Sequence, residues 1–424
     1  MLELAELQQM TVEELRQLAA DMNIPGYSSA KKHDLCMKLL VGQSEKNGHS
    51  YRYGVLESLS DGRGILRVDS YNPNPELDVY VAETQIKRFD LRFGDLVSGP
   101  VRPPKETERF WSLLRVQTIN GMPPEQVRDR PHFEDADQLT PVYPAERIVL
   151  ETGTPTNLTG RMLDIVTPIG RGQRGLIIAP PKAGKTTIIK QVANCMTQNY
   201  NDIRLIVLLI DERPEEVTDI ARSVDGEVVS STFDELPENH LRVAEMVLAR
   251  AKRMVEQGED VVILMDSITR LARASNLTVD PSGRTLSGGL DPTALYRPKR
   301  FFGAARNIEQ GGSLTILATI LIDTGSRMDE MIYEEFKATG NMDLVLSRDL
   351  ANRGTFPAID IQKSMTRHQE LLFSDDEMQS VWQLRRALNV MDSPEAAETL
   401  LSGLRRTKRN QEFLAMANQS FKRR

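Results

Sequence analysis

The sequence predicts a multidomain protein: a small N-terminal helical region, then a small β-barrel, then an α/β core built on a mostly parallel sheet. Three observations carry this. A capped amphipathic run begins at Thr11. Short alternating runs separated by turn residues fill 51–119, the pattern of a small barrel. From about residue 147, apolar strand-like runs alternate with helical ones, which implies parallel strands with helices on both faces. At 424 residues the chain is too long for one small domain.

Taken in order, residues 1–47 read as short helices. Thr11 starts a capping box with Glu14, and Leu15, Leu18 and Ala19 follow at helical spacing. Asn23, Pro25 and Gly26 stop that helix. A second one has Leu35, Leu39 and Leu40 as its apolar stripe and Lys31, Lys32 and Lys38 toward its polar side. In 51–119 the runs are Tyr53–Leu59, Ile65–Val68 and Val79–Val81, with Asp61-Gly62 and Asn72–Pro75 between them. Asp95–Gly99 and Phe110–Val116 come further on. The stretch 120–146 is rich in proline and charge and reads as a linker. In 147–424 the strands are Leu176–Ala179, Leu205–Ile210, Val261–Met265 and Leu314–Leu321. Thr186–Met196 and His240–Glu256 are helices among them.

Composition narrows the class. With 40% hydrophobic and 27% charged residues, the chain has the mix of a soluble globular protein. No apolar run approaches the roughly 18 residues that would cross a bilayer. The acidic, amphipathic start MLELAELQQMTVEELRQ argues against a secretory or transit signal, so a cytoplasmic protein is expected. Two cysteines, Cys36 and Cys195, lie too far apart for a disulfide framework or a cysteine-rich zinc site. The five histidines make no metal-ligand spacing. A net charge of −7 argues against indiscriminate nucleic-acid binding; a nucleic-acid partner would need local basic surfaces.

The strongest motif is Ala179-Pro180-Pro181-Lys182-Ala183-Gly184-Lys185-Thr186, which follows an apolar strand and opens a helix. That is the context of a P-loop, departing from the usual pattern only in Ala179 for glycine. Backbone N–H groups from Lys182 to Thr187 would cradle phosphates. Lys185 would reach the β- and γ-phosphates of ATP, and Thr186 would hold Mg²⁺. Val261–Asp266 is a buried strand ending in a carboxylate, so Asp266 is the second candidate for Mg²⁺. Leu205–Ile210 leads into Asp211-Glu212-Arg213, whose carboxylates would emerge at the same sheet edge. Glu212 is the candidate for activating water, with Asp211 and Arg213 beside it. Glu215 and Glu216 are helix-start acids. Upstream, Gly170-Arg171-Gly172-Gln173-Arg174-Gly175 matches a dinucleotide fingerprint but precedes its strand, so that reading is rejected. These six are expected to shape a turn beside the nucleotide, Arg171 and Arg174 binding phosphate or serving as surface charge.

A P-loop, a glutamate after an intermediate strand and an aspartate-ended strand resemble the RecA-like motor class. The stretches GRGQRGLIIAPPKAGKT, VLLIDERPEEVTDIARSV, DSITRLARA, RPKRFFGAARNIEQGGSLTILATILIDTGSRMDE and FPAIDIQKSMTR make the chain resemble the bacterial transcription termination factor Rho family over nearly its whole length. The resemblance implies a homohexameric, RNA-dependent ATPase that moves 5′ to 3′ on single-stranded nascent RNA and releases it from RNA polymerase, with a transcription elongation factor as a further partner. It implies a helical domain at 1–47, an OB-fold of cold-shock type at 51–119, and a RecA-like ATPase domain at 147–424. It places pore contacts to RNA at Thr285, Leu286, Ser287, Gly288 and Gly289 and at Arg327, and makes Arg367 an arginine finger in the neighbouring subunit's nucleotide site. Competing readings are a rotary or secretion-type ATPase subunit and a non-catalytic RNA-binding adaptor.

The barrel departs from the family pattern. Where the family has Asp-Gly-Phe-Gly-Phe-Leu-Arg, this chain reads Asp61-Gly62-Arg63-Gly64-Ile65-Leu66-Arg67, and both stacking aromatics are gone. Stacking is worth roughly 1–3 kcal/mol per base, while Arg63 could stack through its guanidinium plane. The RNA contacts implied here are Gly62 to Arg67, Asp78, Val79 and Tyr80, and Glu108, Arg109 and Phe110.

Overall fold

The computed structural model describes residues 7, 10–24, 26–28, 30, 32–46, 50–59, 61–69, 71–154 and 156–421. Pro25 and Lys31 lie outside the described residues. The chain forms two compact units, Met1–Phe133 with Glu245–Gln257, and Glu134–Ala244 with Gly258–Arg424.

In the first unit, α1 (Val12–Asp21) starts with the expected capping box. Thr11 Oγ1 accepts the Glu14 N–H at 3.3 Å, and Glu14 Oε2 accepts the Thr11 N–H at 2.7 Å. Leu15 and Ala19 of this helix pack with Leu35, Leu39 and Leu40 of α2 (Lys32–Lys46). The barrel follows: β1 (Tyr51–Ser58), β2 (Gly64–Arg67), β3 (Val79–Val81), α3 (Glu83–Phe89), β4 (Leu96–Arg102), β5 (Trp111–Leu113) and β6 (Thr118–Ile119). The strands run in the order β1-β2-β3-β5-β4, and β4 pairs back with β1, so the sheet closes on itself; β6 extends β4. Closure needs Gly99, where a Cβ would run into the Arg115 carbonyl. Leu56, Leu66, Val79, Val81 and Val97 fill the interior. Helix α3 has no strong apolar period. Its start is marked by Gln85, whose Oε1 accepts the Ala82 N–H.

The second unit contains β7 (Pro141–Val142), β8 (Arg147–Ile148), α4 (Leu158–Val166), β9 (Ile169–Gly170), β10 (Arg174–Ala179), α5 (Lys185–Asn199), β11 (Ile203–Glu212), α6 (Pro214–Ser223) and β12 (Glu227–Thr232). Helix α7 (Pro237–Val255) contributes its first residues here and the rest to the first unit. Then come β13 (Asp260–Asp266), α8 (Ile268–Thr278), α9 (Tyr296–Gly303), β14 (Arg306–Ile308), β15 (Ser313–Leu321), α10 (Arg327–Lys337), β16 (Met342–Val345), α11 (Arg348–Asn352), β17 (Met365–Thr366), α12 (Asp375–Leu388), α13 (Ser393–Arg405) and α14 (Asn410–Phe421). The main sheet runs β12-β11-β13-β15-β10-β16-β17. It is parallel except for β17, which pairs antiparallel with β16. The four strands expected from apolar runs lie within β10, β11, β13 and β15. Short β12 and β16 lack a comparable run.

Alternate sheet residues such as Ile177, Val207, Leu264 and Leu317 face a core shared with α4, α5, α12, α13 and α14. Their neighbours along each strand point to the other face. The stretch expected as a linker is divided by the unit boundary. Phe133 and Leu139 are buried, and β7 pairs with β14. Charge and proline hid these apolar anchors.

Candidate nucleotide and RNA sites

Residues 179–186 run from the last residue of β10 into the first turn of α5. Gly184 has φ +88° and Lys182 φ +65°, the left-handed conformations of a tight phosphate-loop turn. Ala179 is fully buried in the sheet core, so a methyl group fits where the usual motif has glycine. Lys182 and Thr187 are exposed.

Parallel neighbours bring remote carboxylates to this turn. Lys185 Nζ lies 3.0 Å from Glu212 Oε1 and 2.5 Å from Asp266 Oδ1. Thr319 Oγ1 donates to Asp266 Oδ1 at 2.8 Å. Arg270, on α8, stands 3.5 Å from Glu212 and 3.6 Å from Asp211. Burial pushes the Glu212 carboxyl above its ordinary value, and the Asp266 charge adds to that push. Lys185 and Arg270 pull it partly back. Burial works against the Lys185 ammonium too, yet Asp266 and Glu212 together hold its pKa above the usual lysine value. Arg213 is exposed at the cap of α6, and Glu215 and Glu216 occupy that helix's first turn.

Thr186, at the start of α5, and Asp266, at the end of β13, carry hard oxygen donors. No group of three or more His, Cys, Asp or Glu able to hold a metal occurs among the described residues. That donor set fits Mg²⁺ carried in on phosphates, which takes only one or two protein ligands. Sequence reasoning missed Phe356. It is 52% exposed, and its ring lies 3.7 Å from where a Gly184 Cβ would stand.

Gly170–Gly175 do not join this cluster. They form the turn from β9 into β10, at the opposite end of β10 from the P-loop. Five residue steps at about 3.3 Å separate the two ends by about 17 Å. Arg171 is buried and ion-paired to Glu146 and Asp202, both at 2.8 Å, and to Asp260. The Arg174 guanidinium donates to the Thr339 and Ala305 carbonyls. Burial lowers the Arg174 pKa, and the charges of Arg306 and Arg367 lower it further. Arg367 is exposed beside this turn, its N–H donating to the Asn341 carbonyl at 2.9 Å. The motif therefore shares an end of the sheet with Arg367 and not with its own P-loop, because it precedes β10.

On the barrel, Arg63 keeps about half of its side-chain surface and grips Asp61 through Nε at 2.8 Å and through Nη2. Gly62, with φ +81°, turns the chain there. Tyr80 and Phe110 are half-buried, and the Arg109 guanidinium sits 5.6 Å from the Phe110 ring. The other side chains expected at RNA are used by the barrel itself. Ile65, Leu66 and Val79 are buried, and a Cβ at Gly64 would strike Leu56. Arg67 is buried between Glu57 and Asp78, each at 2.5 Å. Glu108 takes both Arg102 amino groups at 2.6 and 2.8 Å, which pulls its carboxyl down to about 2. Closure accounts for the β2 part of this: a five-strand barrel this small spends Ile65, Leu66 and Arg67 on its own packing.

The two segments that the resemblance assigns to a pore meet. Gly288, with φ +77°, packs so closely on the Arg327–Met328 backbone that a Cβ would clash. Thr285, Ser287, Gly288, Gly289 and Arg327 are exposed, and Leu286 is half-buried. Asp329, at the base of the 323–327 loop, accepts Arg273 through both oxygens at 2.7 Å and Thr324 at 2.6 Å. Arg273 lies one turn beyond Arg270 on α8. One helix thus touches the carboxylate pair at one position and the loop anchor at the next.

Comparison with known proteins shows the family. Three family models match: the Rho termination factor N-terminal domain over residues 6–48, the Rho termination factor RNA-binding domain over 52–125, and the ATP synthase alpha/beta family nucleotide-binding domain over 160–366. The transcription termination factor Rho of Bacillus subtilis is 56% identical over 420 residues, covering 99% of this chain and 97% of that protein. This chain belongs to the transcription termination factor Rho family. The Rho proteins of Pseudomonas fluorescens, at 53%, and Thermotoga maritima, at 50%, each match 97% of it and cover 98% and 96% of their own lengths. A solved structure described as a prototypical ATPase from the type III secretion system of pathogenic bacteria superposes with a TM-score of 0.56 at 22% identity. It covers 68% of this chain and 89% of that one, and shows the shared fold alone. The two Rho domains and the ATP synthase alpha/beta-type nucleotide-binding domain all lie on this one chain, and no helix among its described residues is long and apolar enough to cross a membrane.

Proposed function

We propose that this chain is an RNA-dependent ATPase that assembles as a homohexamer, translocates 5′ to 3′ on single-stranded nascent RNA in the cytoplasm, and ends transcription by releasing that RNA from RNA polymerase, with a transcription elongation factor as a further partner. The observation that carries the reading is the convergence of Lys185, Glu212 and Asp266 at one sheet edge in a chain that also holds a Rho RNA-binding barrel.

Lys185 and the N–H groups of the loop would hold the phosphates of ATP, and Phe356 offers a face on which its base can stack. Glu212, buried and pushed toward the neutral range, suits a base that takes a proton from water. Thr186 and Asp266 would hold Mg²⁺, which neutralises developing phosphate charge. Arg367 cannot reach the P-loop of its own chain across about 17 Å of strand, which supports a role in a neighbouring copy's site. The chain α8–Arg273–Asp329 gives RNA at the 323–327 loop a physical route to Glu212.

RNA is therefore expected to stimulate hydrolysis steeply. The measurement is ATPase rate with and without a pyrimidine-rich single strand. Equal rates would remove the coupling and favour a secretion-type ATPase, whose fold this core shares.

The altered barrel loop should show in salt dependence. Ring stacking is nearly insensitive to salt, whereas a guanidinium on phosphate releases counterions. Arg63→Phe should tighten binding of a short single-stranded RNA and flatten the log–log salt slope by at most about 0.7, one phosphate's worth. Asp61 already occupies Arg63, so the change should fall short of that limit. Arg63→Ala should weaken binding. Fluorescence anisotropy that finds both variants unchanged would make Arg63 a solvated turn residue.

A further inference from the structure

The Gly170–Gly175 turn has no role in the nucleotide site of its own chain, yet its central side chain is not idle. Gln173 is 1% exposed. Its Oε1 accepts the Gly170 N–H at 3.1 Å, and its Nε2 donates to Asn341 Oδ1 at 2.6 Å and to the Asn341 carbonyl at 3.3 Å. The Arg174 N–H donates to the same Asn341 Oδ1 at 2.8 Å, and Asn341 returns its own N–H to the Arg174 carbonyl at 2.9 Å. Asn341 is thus gripped on three sides by the turn. Its carbonyl then takes the Arg367 N–H at 2.9 Å. One residue earlier, Thr366 Oγ1 donates to the Pro168 carbonyl at 2.8 Å, two residues upstream of the turn. Met365–Thr366 is a two-residue edge strand with little pairing of its own. The backbone under Arg367 is thus tied to Asn341 and β16 on one side and, through Thr366, to Pro168 on the other, and the turn itself holds Asn341.

We infer that Gln173 and Asn341 are positioning residues that hold Arg367 at the angle from which it reaches the nucleotide of an adjacent copy. The inference rests on the proposed action of Arg367 in trans. It gives the glycine-rich turn a function: the glycines let the chain bend tightly enough for Gln173 to fold back under Asn341. At Gly172, with φ +86°, a Cβ would collide with Asn307. Arg174 locks the same corner from the other side through the Thr339 and Ala305 carbonyls.

The test uses the full-length protein with saturating RNA. Gln173→Leu keeps volume and removes both donor bonds to Asn341. A misplacement of about 1 Å costs on the order of 10²-fold in rate, so kcat should fall by about that factor while KM for ATP stays within about threefold. Mixed assemblies then separate the two ends of the sheet. Gln173→Leu mixed with Lys185→Ala should recover activity, since one partner brings a sound loop and the other a sound finger. Gln173→Leu mixed with Arg367→Ala should not, since both spoil the same end. The reverse pattern, or a raised KM at unchanged kcat, would put Gln173 in the nucleotide site of its own chain and overturn the inference. The Lys185→Ala and Arg367→Ala mixture is the control. No recovery there defeats the trans reading itself. Recovery there without recovery in the Gln173→Leu and Lys185→Ala mixture defeats the positioning role alone. Asn341 gives a second measurement should Gln173→Leu fail to assemble. Asn341→Asp keeps the Oδ1 acceptor that Asn341→Leu removes and should rescue most of the rate that Asn341→Leu loses. Equal losses in the two would show that this acceptor does not matter.

Discussion

Arg367→Ala is expected to slow RNA-stimulated ATP hydrolysis by about 10³–10⁵-fold, the range in which arginine fingers operate, while ATP still binds. The guanidinium is exposed, and its backbone is tied to Asn341 at the end of the sheet away from the P-loop. A group in that position contributes nothing to binding in its own chain, so the loss should fall on kcat. It should also act between copies. Mixed with Lys185→Ala protein, Arg367→Ala protein should regain part of the lost rate, because some interfaces then pair an intact loop with an intact finger. Native mass measurements establish that mixed assemblies form. Strictly no recovery in confirmed mixtures would place the action of Arg367 within its own subunit.

The second large effect divides binding from chemistry at the other end of the sheet. Lys185→Ala should abolish hydrolysis and weaken nucleotide binding together, because the phosphates lose their main cation. It also leaves Glu212 and Asp266 buried at 3% and 1% exposure without their shared counter-ion. Stripping one partner from a buried ion pair typically costs about 3–5 kcal/mol, so thermal unfolding should register the change as well. Glu212→Gln should keep ATP bound and block turnover, since only the proton acceptor is lost. Normal turnover in Glu212→Gln would reassign the base. The acid limb of the wild-type profile gives an independent check. Glu212 works only when ionised, and burial raises its pKa above the ordinary glutamate value of 4.5. Activity should therefore fall, as pH drops, at a higher pH than an unperturbed glutamate would allow. A kcat profile flat down to 4.5 would contradict the burial argument.

Much of this molecule is legible in its chain order. The P-loop is eight contiguous residues between an apolar strand and a helix, so its chemistry is written locally. The Thr11–Glu14 capping box and the four long apolar strands are local in the same way, and each stands where the pattern puts it. Even the alanine at position 179, unusual for the motif, needed only a buried site for its methyl group.

Pairing across distance is only partly written in the sequence: strand ends put Glu212 and Asp266 at the phosphate edge, but they do not say which side chains pair there. Lys185 meets Glu212 and Asp266 from 27 and 81 positions away, and only the order of parallel strands brings three strand ends to one edge. Gly170–Gly175 carry a phosphate-like pattern, but which end of β10 they occupy follows from preceding the strand, and their partners Asn341 and Arg367 arrive through β16 and β17. In the barrel, the family resemblance offers Arg67 and Asp78 as RNA contacts, while closure buries them against each other. Local spacing fixes which way a neighbour points. It carries no term for a side chain a hundred residues away, and burial, ion pairing and reach depend on those neighbours, so the tertiary fold alone decided which charged residues support the structure and which are left free to meet ATP and RNA.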